Sequence, residues 1–147
     1  MSFDIGTTSI VGSLLDLRTG EELASVGAMN PQAPFGGDLM SRIAFAQFDD
    51  KKLQTLRAKA LNAINDFIKE ACQKAGVSHD HIYKIVLVGN TCMHHILLGI
   101  DVSYVGLAPY APVLRDALVM PSKDLPLKVA LHAQVCTLPI VAGFVGA

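Results

Sequence analysis

Cysteine, charge and long apolar runs are all in short supply in this chain. The three cysteines, Cys72, Cys92 and Cys136, are odd in number, lie far apart and never form a C-x-x-C pair. A chain-held iron–sulfur cluster normally needs four ligands, so none is expected here. Reduced, buried thiols in a cytoplasmic protein are the default for such a set. Charged residues make up only 17%, and 12 Lys+Arg against 13 Asp+Glu leave a net charge of −1. Such a surface is not built to coat a nucleic-acid backbone. No uninterrupted apolar run reaches the roughly eighteen residues that a transmembrane helix needs, so no membrane partner is expected. The opening Met1-Ser2-Phe3-Asp4 has no basic stretch leading into an apolar one, so no secretory leader is expected either. Internal repeats and low-complexity tracts are absent.

What the chain has in quantity is apolar side chain: 51% of its 147 residues, with a mean hydropathy of +0.41. That length fits one domain, and that composition excludes a disordered chain and allows a sizeable core. It is oily for a self-contained soluble domain, which points to apolar surface meant for a partner.

The first part of the sequence spells three short strands. Phe3-Asp4-Ile5 meets a Gly6-Thr7-Thr8 turn, Ser9 to Leu17 runs apolar and β-rich, and Glu22 to Met29 returns after a polar turn at Arg18-Thr19-Gly20-Glu21. Short loops imply an antiparallel meander. Asn30 to Gly37, with two prolines and adjacent glycines, is a loop, and Asp38 can cap a short helix carrying Leu39, Met40 and Ile43. A long helix follows from about Lys51 to Ala75, capped by Asp49 or Asp50 and ended by Gly76. Leu53, Leu56, Ala60, Ile64, Phe67, Ile68 and Ala71 form its apolar stripe.

Tyr83 to Val88 has the near-continuous apolar, β-branched character of a parallel strand buried on both faces. Gly89-Asn90-Thr91 turns into a second helix, Cys92 to Leu98, stopped by Gly99. From Ile100 to Gln134 periodicity fades and prolines accumulate, giving an extended arm with one helical turn near Ser122-Lys123-Asp124. Val135 to Leu138 is a further buried strand, and Ala142-Gly143-Phe144 opens something helical. The order β-β-β-α-β-α-arm-β is the ribonuclease-H-like layout: α/β, a mixed five-stranded sheet with helices packed on it, and right-handed crossovers. Residues 1–147 read as one such lobe.

The first candidate for chemistry is Asp4-Ile5-Gly6-Thr7-Thr8-Ser9. A carboxylate on a strand followed by a glycine-containing turn can surround a phosphate with backbone N–H groups. Gly6 allows close approach, the threonine hydroxyls add donors, and Asp4 sits where a Mg²⁺ water shell would lie. An ordinary hairpin with a polar turn is the plain alternative. Asn90 follows a buried strand at its C-terminal end, where ligand sites of α/β proteins collect, and it is equally suited to cap the helix behind it. His94 and His95 are neighbours whose side chains diverge by about 100° on a helix, so they suit structural or partner contact better than a shared metal. His79 and His81 fall in a polar turn and His132 is isolated. Asp38 and Arg42, four residues apart, suggest a surface salt bridge.

Asp-x-Gly-Thr-Thr ending a first strand resembles the first phosphate motif of the superfamily of sugar kinases, heat-shock chaperone ATPases and actin. The remaining blocks resemble one branch of it, the reductive activators of corrinoid proteins. They are Asn30-Pro31-Gln32, Phe35-Gly36-Gly37-Asp38-Leu39-Met40-Ser41-Arg42-Ile43, Val88-Gly89-Asn90-Thr91-Cys92-Met93-His94-His95, Gly106-Leu107-Ala108-Pro109-Tyr110 and Leu138 to Ala147, spread along the whole chain in family order. Cys92 stands where that family often has threonine.

The resemblance implies a multidomain iron–sulfur protein that uses ATP to drive one-electron reduction of a Co(II) corrinoid to Co(I) on a partner methyltransferase protein. Asp4 would then act through Mg²⁺-bound water, with Gly6, Thr7, Thr8 and Asn90 toward the nucleotide. The chain stops at Gly146-Ala147, before the family's second phosphate motif, so the resemblance covers a first lobe. On this reading ATP and Mg²⁺ belong to the complete module, the iron–sulfur cluster to another domain, and the isolated chain holds none of them and is inactive. A non-catalytic lobe that docks a corrinoid protein or a sister domain is the alternative. A small-molecule kinase is a weaker third, for want of a sugar-binding carboxylate pattern. The uncharged apolar run Leu138 to Ala147 further suggests self-association as a homodimer.

Overall fold

The structure, a computed structural model, describes residues 1–140. Strands β1 (Ser2–Ile5), β2 (Ser9–Leu15) and β3 (Glu22–Met29) form the expected meander. Antiparallel pairing sets Asp4 opposite Val11 and Ser13 opposite Ser25, with a bulge at Leu14/Leu15. β2 ends two residues earlier than the apolar run suggests, because Asp16 opens the turn by accepting the Arg18 N–H at 2.7 Å. Helix α1 (Leu39–Ala46) begins in a capping box: Asp38 accepts from the Ser41 N–H while the Ser41 hydroxyl faces back to the Asp38 N–H. Helix α2 (Asp50–Ala75) is capped by Asp49, which accepts from the Lys52 N–H at 3.1 Å. Its seven expected stripe residues are all buried, joined by Leu61 and Cys72.

Strand β4 (Lys84–Gly89) then runs parallel to β1, and helix α3 (Thr91–Leu98) follows directly. Strands β5 (Leu118–Pro121) and β6 (Gln134–Thr137) complete a sheet of order β3-β2-β1-β4-β6-β5. The sheet therefore has six strands where the sequence suggests five. The additional strand, β5, hides in the proline-bearing arm because it has only four residues and ends on Pro121. It lies at the sheet edge, antiparallel to β6, where a strand-ending proline is tolerated. The arm otherwise keeps its irregular character, with one turn of 3-10 helix at Ser122–Asp124. The helical start expected at Ala142-Gly143-Phe144 lies outside the described residues.

Alternation along the strands sorts the sheet into two faces. Phe3, Ile5, Ile10, Leu14, Val26, Ile85, Leu87 and Val135 are buried in one cluster with the apolar residues of all three helices. Val11, Asp4 and Val88 share a row on the opposite face, and Ser13, Ser2, Val86, Cys136 and Val119 share another. Val11 is 46% exposed and Val119 67%. So β4 is covered fully on one face only, not on both as its composition suggests. Its apolar outward residues are the part of the oily composition that the core does not use.

This asymmetry has a measurable consequence. Ile64, fully buried in the middle of α2, should lose about 2–5 kcal/mol of stability on truncation to alanine, through lost transfer energy and the cavity left behind. Val11→Ala on the open face should cost about 0.5 kcal/mol or less. Urea unfolding of the two variants checks the difference.

Candidate functional site

The last antiparallel pair of the first hairpin is Ile5 with Ile10, so Gly6, Thr7 and Thr8 leave the ladder at the C-terminal end of β1. A Cβ on Gly6 would come 2.7 Å from the Ser9 carbonyl oxygen, so the turn closes this tightly only around glycine. Two carbonyls of the turn are tied back into the protein. Asn30 Nδ2 donates to the Gly6 oxygen at 2.8 Å, and the Asn30 N–H donates to the Thr8 oxygen at 2.8 Å. The Gly6 N–H faces the Ser9 carbonyl in the hairpin, and among the described residues no turn or loop acceptor takes up the N–H groups of Thr7 or Thr8. The turn thus spends the Gly6 and Thr8 acceptors inward and keeps the Thr7 and Thr8 donors free, the polarity of an anion-facing backbone. Asp4 lies two residues earlier on the open face of the sheet, solvent-exposed between Val11 and Val88.

Asn90 performs both tasks that its position allows. Its Oδ1 accepts from the Met93 N–H at 3.1 Å and caps α3, while its Nδ2 donates to the Thr7 hydroxyl oxygen at 2.9 Å. The Thr7 hydroxyl keeps its own proton to donate elsewhere. Thr7 and Asn90, 83 residues apart in sequence, meet because β1 and β4 are parallel neighbours whose C-terminal ends coincide. Asp4, Gly6, Thr7, Thr8 and Asn90 therefore gather at one edge of the sheet.

Beneath this edge lies a polar cluster that residue-level reasoning missed. Arg42 is fully buried, not at the surface, and forms no salt bridge with Asp38, whose carboxylate is committed to the cap of α1. Its Nε and Nη2 donate to the Gly36 oxygen at 3.2 and 2.8 Å, and its Nη1 reaches Gln32 Oε1 and Met93 Sδ, each at 3.2 Å. Gln32, 1% exposed, donates from Nε2 to the Leu56 oxygen at 2.9 Å. Its N–H donates to Asn30 Oδ1, also at 2.9 Å. Burial pulls the Arg42 pKa down, but a guanidinium remains charged. The only available signal was that Asn30-Pro31-Gln32 and Ser41-Arg42-Ile43 are distinctive blocks lacking an assigned task.

The remaining polar residues divide between structure and surface. His95 Nε2 faces the N–H groups of Val113 and Leu114 at 3.1 and 3.4 Å, so it must accept, and Nδ1 carries the proton donated to the Thr91 oxygen at 2.7 Å. This neutral ring pins the arm to α3. His94, 4% exposed, has neither ring nitrogen hydrogen-bonded. Burial, helped by the His95 ring beside it, lowers its pKa to about 4. Burial pushes the Cys92 thiol up to about 12, against the opposing pull of Arg42. The three cysteines are free, and among the described residues no three His, Cys, Asp or Glu gather to hold a metal. His79, His81 and His132 are exposed. No helix among the described residues is long and apolar enough to cross a membrane.

The two buried histidines bind protons less readily in the folded protein than in the unfolded chain. Their contribution is intact above the unfolded pKa and fades as the pH falls. For His94 the window runs from 6.5 down to about 4, for a total on the order of 3 kcal/mol. Denaturation midpoints should therefore drop between pH 7.5 and 5. His94→Leu should change stability at neutral pH by no more than about 1 kcal/mol, because the ring makes no hydrogen bond, and should flatten that slope.

Comparison with known proteins gives this geometry a family. Residues 1–147 match the family described as the RACo middle region over their whole length. The chain is 35% identical, over 147 residues, to the corrinoid activation enzyme RamQ of Eubacterium limosum, covering 100% of this chain and 25% of that protein. A solved structure of a reductive activator for corrinoid, iron–sulfur protein superposes with a TM-score of 0.94 at 36% identity, covering 98% of this chain and 23% of that one. The chain thus spans about a quarter of the length of these relatives. The chain is homologous to the corrinoid activation enzyme RamQ and to the reductive activator for corrinoid, iron–sulfur protein, and it belongs to the RACo middle region family.

Proposed function

We propose that this chain is the part of an ATP-dependent reductive activator of corrinoid proteins that supplies a phosphate-binding turn. The observation that carries the reading is the polarity of Gly6-Thr7-Thr8: inward-tied carbonyls at Gly6 and Thr8, Thr7 and Thr8 N–H groups without an acceptor among the described residues, and an exposed carboxylate two residues before Gly6. A sheet of order β3-β2-β1-β4-β6 with the turn at the end of its first strand also supports a ribonuclease-H-like lobe of an actin-like ATPase.

On this reading the free N–H groups and the Thr7 and Thr8 hydroxyls hold phosphate oxygens. Asp4 holds water on a Mg²⁺ that would neutralise phosphate charge, and Asn90 fixes the Thr7 side chain from α3. ATP shifts the angle between this lobe and a second one, an order of motion known for two-lobed nucleotide-binding proteins. The electron for the cobalt comes from an iron–sulfur domain outside this chain, in keeping with the wide separation of Cys72, Cys92 and Cys136. The reaction belongs to the cytoplasm, where corrinoid methyltransferase proteins are the partners.

The alternative, a non-catalytic lobe that docks a corrinoid protein, a sister domain or a second copy, draws on the open sheet face with exposed Val11, Val119 and Leu138. Light scattering at micromolar concentration separates self-association from the other two.

Mutation of the turn decides between the readings. In the intact protein Asp4→Ala should lower ATP hydrolysis on the order of a hundredfold, the scale of losing a positioned metal. Its stability should stay within about 1 kcal/mol of the parent, because the carboxylate is exposed. Calorimetric titration with Mg-ATP should show weaker binding to Thr7→Val. Parallel loss of folding and hydrolysis in Asp4→Ala would assign the carboxylate a structural task and favour the docking lobe. The 147-residue chain alone should bind Mg-ATP weakly and not hydrolyse it, since one lobe offers only part of the contacts and each 1.4 kcal/mol is about tenfold in affinity.

A further inference from the structure

The buried polar cluster is expensive to maintain. A guanidinium taken out of water loses several kcal/mol of solvation, and a carboxylate partner normally offsets part of that loss. Among the described residues Arg42 has none: its acceptors are the Gly36 carbonyl, the Gln32 side-chain carbonyl and the Met93 sulfur. An apolar residue of similar volume would fill the space at less cost. A cation kept in such a place fixes the geometry of what surrounds it.

What it fixes can be followed atom by atom. Arg42 Nη1 holds Gln32 Oε1, and Gln32 Nε2 is anchored on the Leu56 oxygen of α2. With its side chain held at both ends, Gln32 presents its own N–H to Asn30 Oδ1 at 2.9 Å. That bond leaves Asn30 Nδ2 directed at the Gly6 oxygen at 2.8 Å, with Met93 Sδ 3.7 Å away on its other side. The Asn30 amide therefore cannot exchange its oxygen and nitrogen without losing two bonds. In a trans peptide the C=O and the following N–H point in opposite directions. Pinning the Gly6 oxygen inward consequently turns the Thr7 N–H outward. The Asn30 N–H binds the Thr8 oxygen at 2.8 Å, which holds the next carbonyl but one in the same sense.

We propose that Asn30, locked by Gln32 and the buried guanidinium of Arg42, is the positioning residue that gives the Gly6–Thr8 turn its outward-facing N–H groups. The proposal rests on the reading of that turn as a phosphate site and deepens it. Asn30 touches no ligand and acts only through the turn. It gives the Asn-Pro-Gln block, the Ser-Arg-Ile block and Met93 one shared task. It also divides the work at the turn: Asn30 sets the backbone from below and Asn90 sets the Thr7 hydroxyl from α3.

Asn30→Asp is the discriminating change. It is isosteric, keeps an acceptor for the Gln32 N–H, and replaces the donor facing the Gly6 oxygen by a second acceptor. In the intact protein, amide hydrogen exchange at residue 30, whose N–H holds the Thr8 oxygen at 2.8 Å, should accelerate at least about tenfold relative to its intrinsic rate, beyond any uniform change in α2. Mg-ATP should bind about tenfold more weakly, the scale of one buried hydrogen bond. Arg42→Lys, which keeps the charge but loses the planar fork, should show the same local exchange signature to a smaller degree. Since exchange is compared between residue 30 and α2 within one sample, overall destabilisation does not imitate the result.

Two outcomes overturn the proposal or its foundation separately. Unchanged exchange at residue 30 and unchanged Mg-ATP affinity in Asn30→Asp, with weaker binding in Thr7→Val, would remove Asn30 as a positioning residue and leave the phosphate site standing. Unchanged Mg-ATP affinity in both Thr7→Val and Asp4→Ala would remove the phosphate site, and faster exchange in Asn30→Asp would then mark a clamp on a turn with another task.

Discussion

The parallel pairing of β1 with β4 is the constraint on which the rest depends. It sets Ile5 opposite Gly89, so the turn after β1 and the helix start after β4 emerge side by side at the C-terminal ends of their strands. Topology of this kind places ligand sites by geometry alone, because loops from neighbouring parallel strands leave the sheet at the same edge. Here the approach is closer than usual: a Cβ on residue 89 would come 2.8 Å from the Ile5 carbonyl oxygen. Glycine at that position lets the chain pass β1 and turn at once into α3, which brings Asn90 within 2.9 Å of Thr7. A residue with a side chain there would push α3 away from the turn.

The same junction is supported from below by charge without a counter-charge. Asp38 is engaged as a helix cap, which leaves Arg42 to find neutral acceptors. The consequence is a set of directional bonds linking the turn, the Asn30–Gly36 loop, α1, α2 and α3, where an apolar core would have been free to slide. Hydrophobic packing is indifferent to small rotations, whereas a guanidinium bonded on several sides is not. The structure thus uses apolar contacts to hold the layers together and polar ones to hold one edge in register.

Much of this was legible in the sequence, and the gaps have physical causes. The α2 stripe, the Asp49 cap and the Gly76 stop were written plainly, because a long amphipathic helix repeats its signal over many turns. The hairpin turn and Asn90 were also visible, since glycine, threonine and asparagine at strand ends have few uses. Strand β5 was not, because four residues ending in proline carry no periodicity. Arg42 was misplaced on the surface for a general reason. Spacing from Asp38 gives a helical neighbour, but it cannot tell which side of an eight-residue helix faces the core. For His95 the sequence left structural and partner contact both open, and the backbone N–H groups of the arm that it accepts from could not be read from local pattern.

The open face of the sheet ties the composition back to the site. Its outward row sets the carboxylate of Asp4 between Val11 and Val88. Apolar neighbours favour coverage by another surface at roughly 25 cal/mol per Å². A covered carboxylate without a partner loses more than such a patch returns. Whatever packs against this face must therefore leave Asp4 wet or bring positive charge to it. A purely apolar docking surface satisfies neither condition. On the proposed function, a second lobe closing over a hydrated Mg²⁺ would satisfy both at once, covering the valines and leaving metal-bound water on the carboxylate. Under that proposal the apolar excess of the chain and the exposed Asp4 on that row would have one common cause.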